Sequence, residues 1–325
     1  MTGKNNSERR ADGSLRHLLT LDGLPRAELE TLLERSQFYV RASGDAAPQS
    51  QVLAGVTVAN MFTEPSTRTR VSFELAAKRL GADVVNLEVQ LSSRVKGETM
   101  LDTIYTLQAL HVDVFVLRDA EAGVPALVAG NVAPHVSVLS AGEAHLSHPT
   151  QGLLDALTIL QCKGRCDGLS VAIVGDIRHS RVARSASQAL QTLGVRDLRL
   201  VAPPSLMPDV QEFPGCARSN DIDASIVDAD VVMMLRIQTE RFADTAIPAG
   251  ADYFREFGLT AQRLKRARPD AIVMHPGPMN RGVEIDSAVA DGPQSVIRLQ
   301  VANGVAVRMA ALETLAAPLL ARGKR

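Results

Sequence analysis

The sequence predicts an α/β protein of two doubly wound domains, each with a mostly parallel sheet flanked by helices, and three observations lead to that expectation. Short β-branched runs alternate with amphipathic helical patterns along the chain, the mark of parallel strands joined by helical crossovers. A length of 325 residues corresponds to about two domains, each able to bury its own core. Residues 171–176, reading VAIVGD, look like the opening strand of a second such domain. In the first half, strands are expected over 56–62, 83–87, 112–117 and 136–140. In the second half they are expected over 170–174, 198–202, 231–235 and 271–275. Helices fill the intervals, most clearly at 72–80, 99–110, 150–161 and 181–193. The last helix, about 293–320, is long enough that a break near Asn303 and Gly304 is expected, where the chain would cross back between domains. The expected division is 1–149 and 150–303, with a terminal helix over 304–325 returning to the first domain.

Composition removes several classes of function. Hydrophobic residues make up 46% and charged residues 22%, the balance of a globular chain. Lys plus Arg number 35 against 36 Asp plus Glu, so the basic footprint of a general nucleic-acid binder is missing. With 8 Phe, 3 Tyr and no Trp, platforms for stacking bases are scarce too. No apolar run approaches the ~18 residues of a membrane span. Cys162, Cys166 and Cys216 are odd in number and lack a companion His cluster, which argues against a disulfide framework and a zinc site and for a reducing cytoplasm. Residues 1–15 are polar, without the apolar core of a secretory signal, and read as a frayed leader or a docking segment. After VAIVGD come Ile177, Arg178, His179, Ser180 and Arg181 where a dinucleotide domain needs G-x-G-x-x-G. NAD and FAD are therefore not expected, the P-loop pattern is absent, and no cofactor or metal is called for.

The most informative segment is 62–70, FTEPSTRTR, between an expected strand and an expected helix. Ser66, Thr67 and Thr69 supply hydroxyls, the helix start supplies backbone N–H groups, and Arg68 supplies a planar fork of donors. Together they suit a phosphate at the carboxyl end of a parallel strand; the alternative is a helix cap with solvated arginines. Arg118 ends an apolar strand, at the sheet edge where ligands bind, although a strand-capping Arg can also simply face water. His148 and Gln151 lie three apart at a helix start and share a face. Arg181 and Arg236 come from separate elements of the second half, with Gln238 two residues beyond Arg236. Paired at random, two such arginines would be surface salt-bridge partners. Residues 92–99, SSRVKGET, have the composition of a solvated loop.

The run S-T-R-T-R at 66–70 resembles the signature of the aspartate and ornithine carbamoyltransferases, and the resemblance continues in order from about Leu18. It includes 92–99, Arg118, His148-Pro149-Thr150-Gln151, Gly175-Asp176 with Arg181, Leu235-Arg236-Ile237-Gln238, and His275-Pro276-Gly277-Pro278. It implies transfer of a carbamoyl group from carbamoyl phosphate to an amino acid, in pyrimidine synthesis where the acceptor is L-aspartate. On that reading Ser66, Thr67, Arg68, Ser92 and Lys96 meet the phosphate, and Thr69, Arg118 and His148 meet the carbonyl oxygen. Gln151, Gly277 and Pro278 attend the carbamoyl end of the donor, and Lys96, Arg181, Arg236 and Gln238 hold aspartate. The resemblance also implies a homotrimer in which Ser92 and Lys96 reach the neighbouring subunit's site. Ornithine-specific relatives carry H-C-L-P and S-M-G motifs, both missing here, so aspartate is the expected acceptor and ornithine the rival. Gly277 stands where many members have Leu, a departure that leaves a backbone carbonyl in place. Residues 279–282, MNRG, resemble the branch that associates with dihydroorotase-like chains. A non-catalytic assembly subunit should have lost donor ligands, yet Arg68, Thr69, Lys96, Arg118, His148 and Gln151 are all present.

Overall fold

The computed structural model describes residues 9–42, 45–88, 99–237 and 250–321. The chain is α/β, as expected, with two parallel sheets in two compact units: one of residues 1–153 and 303–325, the other of residues 154–302.

The first unit begins with helix α1 (Arg26–Tyr39) and continues through β1 (Thr57–Phe62), α2 (Thr67–Arg79), β2 (Asp83–Glu88), α3 (Met100–Ala109), β3 (Val114–Asp119), α4 (Val124–Asn131), β4 (Ser137–Glu143) and the start of α5 (Pro149–Lys163). Its four strands are parallel in the order β2-β1-β3-β4. β1, β3 and β4 are almost wholly buried, so they show no apolar-polar alternation, and Asn60, Ser137, Ser140 and Glu143 are buried among their apolar residues. Phe115, Leu117, Met61, Ile104 and Val128 form the centre of one core cluster. Helix α3 opens on a capping box: Thr99 accepts from Asp102 N–H at 3.2 Å while Asp102 accepts from Thr99 N–H at 3.1 Å.

The second unit continues through β5 (Ser170–Val174), α6 (Arg181–Thr192), β6 (Asp197–Val201), β7 (Ala217–Ser219), α7 (Ile222–Ser225), β8 (Val231–Met234), α8 (Gly250–Phe257), α9 (Ala261–Leu264), β9 (Ile272–Met274), α10 (Ser287–Ala290) and α11 (Ile297–Ala321). Its five strands are parallel in the order β7-β6-β5-β8-β9. The edge strand β7 was not expected from the sequence: Ala217 and Arg218 are exposed, so its three residues carry no apolar pattern.

Two further expectations are corrected. No break occurs at Asn303 and Gly304, because α11 runs through both; Asn303 is 1% exposed, and Arg308 Nη1 donates to the Gly304 carbonyl at 2.8 Å. Nor is the leader frayed from Arg9 onward. Arg10 is 7% exposed and donates to the carbonyls of Leu15 (2.5 Å) and Leu315 (2.8 Å) and to Ser137 Oγ (3.0 Å). The following residues lie along β4: Leu18 N–H donates to Val138, and Ser140 N–H donates to Leu18, each at 2.9 Å.

Candidate active site

Parallel sheets bind ligands where the strand order reverses, at the carboxyl edge. In the first unit that point lies between β1 and β3, since the chain places β2 on one side of β1 and β3 on the other. The S-T-R-T-R run leaves the end of β1, and Arg118 is the penultimate residue of β3, so the sequence delivers both to one switch point. Thr63 N–H donates to the Arg118 carbonyl at 2.9 Å and ties the two strand ends together. Helix α2 starts earlier than expected, at Thr67. Ser66 is its N-cap, but the Ser66 side chain makes no capping bond to the helix. Thr67 and Arg68 are exposed and Thr69 is 8% exposed on the first turn, a hydroxyl-rich helix start of the kind that receives anions.

Arg118 is aimed by a local irregularity. The register between β3 and β4 shifts after Leu117, so that Arg118 pairs with Gly142, and Arg118 Nη1 lies 3.4 Å from the Ala141 carbonyl. Such bulges re-aim side chains next to sites. Arg118 Nε lies 3.2 Å from Glu64 Oε2, with both side chains largely buried. Glu64 was not singled out from the sequence, although it stands inside the signature segment and carries the one negative charge there. His148 reaches the same sheet edge through the turn after β4: Glu143 N–H donates to the Ser147 carbonyl at 2.8 Å, and Ser147 Oγ donates to the Leu19 carbonyl at 2.8 Å. His148 is 5% and Gln151 8% exposed, and Gln151 N–H donates to the His148 carbonyl at 2.9 Å, which fixes their shared face.

In the second unit the reversal lies between β5 and β8. Gly175 follows β5 at φ +138°, and a Cβ there would sit 2.6 Å from the Leu235 carbonyl oxygen. The glycine is thus what lets the end of β5 approach the residue before Arg236. Asp176, fully buried, accepts from His179 N–H at 3.1 Å, and its carboxylate lies 2.9 Å from His179 Nδ1. Ser180 then caps α6 through a 3.0 Å bond from Ala183 N–H, so Arg181 opens that helix, 7% exposed. Half-buried Arg236 follows β8, and Gly277 and Pro278 follow the adjacent β9, joined by a cis peptide. Arg181, Arg236, Gly277 and Pro278 therefore come from the carboxyl ends of three neighbouring strands. Ser92, Lys96 and Gln238 lie outside the described residues. Among the described residues no group of three or more His, Cys, Asp or Glu side chains is placed to hold a metal, and no helix is long and apolar enough to cross a membrane.

Each unit has one strand reversal with arginines beside it, and comparison with known proteins gives the class. Residues 16–161 match the family described as aspartate/ornithine carbamoyltransferase, carbamoyl-P binding domain, and residues 167–315 match its Asp/Orn binding domain. The chain belongs to the aspartate/ornithine carbamoyltransferase family. Among solved structures it is similar to Trypanosoma cruzi aspartate transcarbamoylase in complex with aspartate and phosphate, at 30% identity and a TM-score of 0.80 over 92% of this chain and 94% of that one. The same enzyme with N-(phosphonacetyl)-L-aspartic acid matches at 29% identity and a TM-score of 0.79, over 92% and 95% of the two chains. Ornithine carbamoyltransferase from Pyrococcus furiosus is similar to nearly the same degree, at 29% identity and a TM-score of 0.79 over 93% and 97%.

Proposed function

We propose that the chain transfers the carbamoyl group of carbamoyl phosphate to the α-amine of L-aspartate, giving N-carbamoyl-L-aspartate and phosphate. The observation that carries the choice of acceptor is the arginine pair of the second unit. Arg181 and Arg236 leave the two strands that flank the reversal, and Gly175 fixes the approach of those strands. Two guanidinium forks match two carboxylates, whereas ornithine offers one carboxylate and an ammonium group that the same forks repel. Overall likeness does not discriminate, since relatives of both specificities match at about the same level; the arginine pair is what supports aspartate in this reading.

In this reading the amine attacks the carbonyl carbon and forms a tetrahedral intermediate, from which the C–O bond to phosphate breaks as the amine's proton passes to the leaving phosphate. Negative charge grows first on the carbonyl oxygen, where Arg118, Thr69 and His148 donate hydrogen bonds, and then on the leaving phosphate, where Ser66, Thr67 and Arg68 donate them. Fixed donors at such positions are each worth roughly 10²- to 10³-fold in rate. Gln151 and the Gly277–Pro278 turn hold the carbamoyl nitrogen. Glu64, 3.2 Å from Arg118, would compete with an incoming donor for that guanidinium. Ser92 and Lys96 would come from the neighbouring subunit of a homotrimer, and Gln238 would join Arg236. The setting is the cytoplasm and the pathway pyrimidine synthesis, with association to a dihydroorotase-like chain as a further proposal. Arg236→Gln tests the assignment: the KM for aspartate should rise by at least about 30-fold while inhibition by inorganic phosphate keeps its constant. An unchanged aspartate KM would remove Arg236 from the acceptor pocket.

A further inference from the structure

A buried chain of polar groups lies behind the turn that follows β9. His275 and Glu284 are both fully buried. Gly277 N–H donates to His275 Nδ1 at 2.8 Å. A backbone amide can only donate, so Nδ1 presents its lone pair and the ring proton sits on Nε2. From there it points to Glu284 Oε1, 3.1 Å away. The same oxygen accepts the N–H of Asn280 at 2.5 Å. On the other side, His275 N–H donates to Gln300 Oε1 at 3.0 Å, and Gln300 Nε2 donates to Asp155 Oδ1 at 2.6 Å.

The two main-chain donors that flank Pro278 are thus held by one carboxylate–imidazole pair. In a trans peptide the carbonyl points opposite to the N–H. Fixing Gly277 N–H and Asn280 N–H toward the buried pair therefore turns the Pro276 and Met279 carbonyls away from it, and the Gly277 carbonyl is confined between two set peptide planes. An apolar pair of similar volume would fill this space with less desolvation, but it could not orient a row of carbonyls.

We propose that Glu284 is a positioning residue for the carbamoyl donor: acting through His275, it sets the Gly277 carbonyl to accept a hydrogen bond from the carbamoyl nitrogen. The inference rests on the proposed function, which makes that turn a donor ligand. Its consequence is selective, because inorganic phosphate has no carbamoyl nitrogen. Loss of Glu284 weakens carbamoyl phosphate and leaves phosphate alone.

The test is the KM for carbamoyl phosphate beside the inhibition constant of inorganic phosphate, in the wild-type chain and in the Glu284→Ala and Glu284→Gln variants. Glu284→Ala should raise the carbamoyl phosphate KM by about tenfold or more with the phosphate constant within about twofold of wild type. Glu284→Gln keeps an oxygen where Oε1 now accepts both donors, and it should recover most of that loss. Equal weakening of both ligands, or no weakening of either, overturns the role of Glu284. A wild-type chain that binds carbamoyl phosphate no better than phosphate overturns the proposed function and this inference with it. A second measurement needs no variant: the ring ¹⁵N shifts of His275 in the wild-type chain should show the proton on Nε2, and a proton on Nδ1 overturns the relay.

Discussion

Acid should loosen the first unit through one histidine. His17 is fully buried beside β4, where its Nδ1 accepts Val138 N–H at 2.9 Å and its Nε2 has no hydrogen-bond partner among the described residues. Burial, reinforced by the positive charges of Arg16 and Arg10, pushes its pKa down from 6.5 to about 3. The sign follows from proton counting. Between about pH 3 and pH 6.5 the unfolded chain binds a proton at this position that the folded chain refuses, so stability rises with pH across that window and is lost as pH falls through it. Each pH step below 6.5 costs about 1.4 kcal/mol, which puts the loss from this group at roughly 2 kcal/mol between pH 7 and pH 5. The assay is hydrogen exchange at the β4 amides, converted to opening free energies at each pH and compared with a His17→Asn variant. Asn can offer an oxygen to Val138 N–H but does not titrate, so its profile should be flatter by that ~2 kcal/mol. Parallel profiles for the two proteins would refute the argument, whatever their absolute offset.

Two other outcomes follow from the site. Gly175→Ala places a methyl group 2.6 Å from the Leu235 carbonyl oxygen. Steady-state kinetics should show the aspartate KM rising by about tenfold or more while phosphate inhibition is unchanged, because the displaced residues precede Arg236 and lie in the second unit. If Lys96 is donated to the neighbouring subunit of a homotrimer, as proposed, Lys96→Ala and Arg236→Ala chains should each be nearly inactive alone, yet after mixing, dissociation and reassembly they should recover about a quarter of wild-type activity. Random trimers are mixed in about three cases of four, and each mixed trimer holds one intact site in three. Activity no higher than that of the separate mutants, with mixed trimers verified by mass, would place Lys96 in its own chain's site.

How much of this was legible in the sequence depended on what kind of interaction fixed each feature. The eight expected strands appear within a few residues of where β-branched runs stand, buried and part-exposed ones alike, and β5 matches at both ends. The edge strand β7 escaped because an exposed three-residue strand carries no such mark. The continuity of α11 through Asn303 and Gly304 was misjudged for the opposite reason: a local Gly signal was overridden by tertiary burial, with Asn303 packed away and Arg308 bonded back to Gly304. Proposed site residues such as Arg118 and Arg181 could be named because they stand in motifs that resemble the family's. The partners that hold them could not. Glu64 meets Arg118 across 54 residues and two strands, and Glu284 meets His275 across an irregular turn, so neither pairing has a periodic trace. Arg10 shows the same limit, since its bonds to Ser137 and Leu315 reach segments 127 and 305 residues away.

The central claim is that this carbamoyltransferase is built for a dicarboxylic acceptor. The measurement that tests it most directly is carbamoylation by the purified protein, with saturating carbamoyl phosphate and either L-aspartate or L-ornithine, followed as kcat/KM for each. Two guanidinium forks against two carboxylates, and against an ammonium group in the rival, predict a preference for aspartate of at least about 10³-fold, since mispairing one charge-assisted contact and repelling another each cost several kcal/mol. Carbamoylation of ornithine at an equal or higher kcat/KM would contradict the assignment of Arg181 and Arg236, and with it the account of the second unit's site.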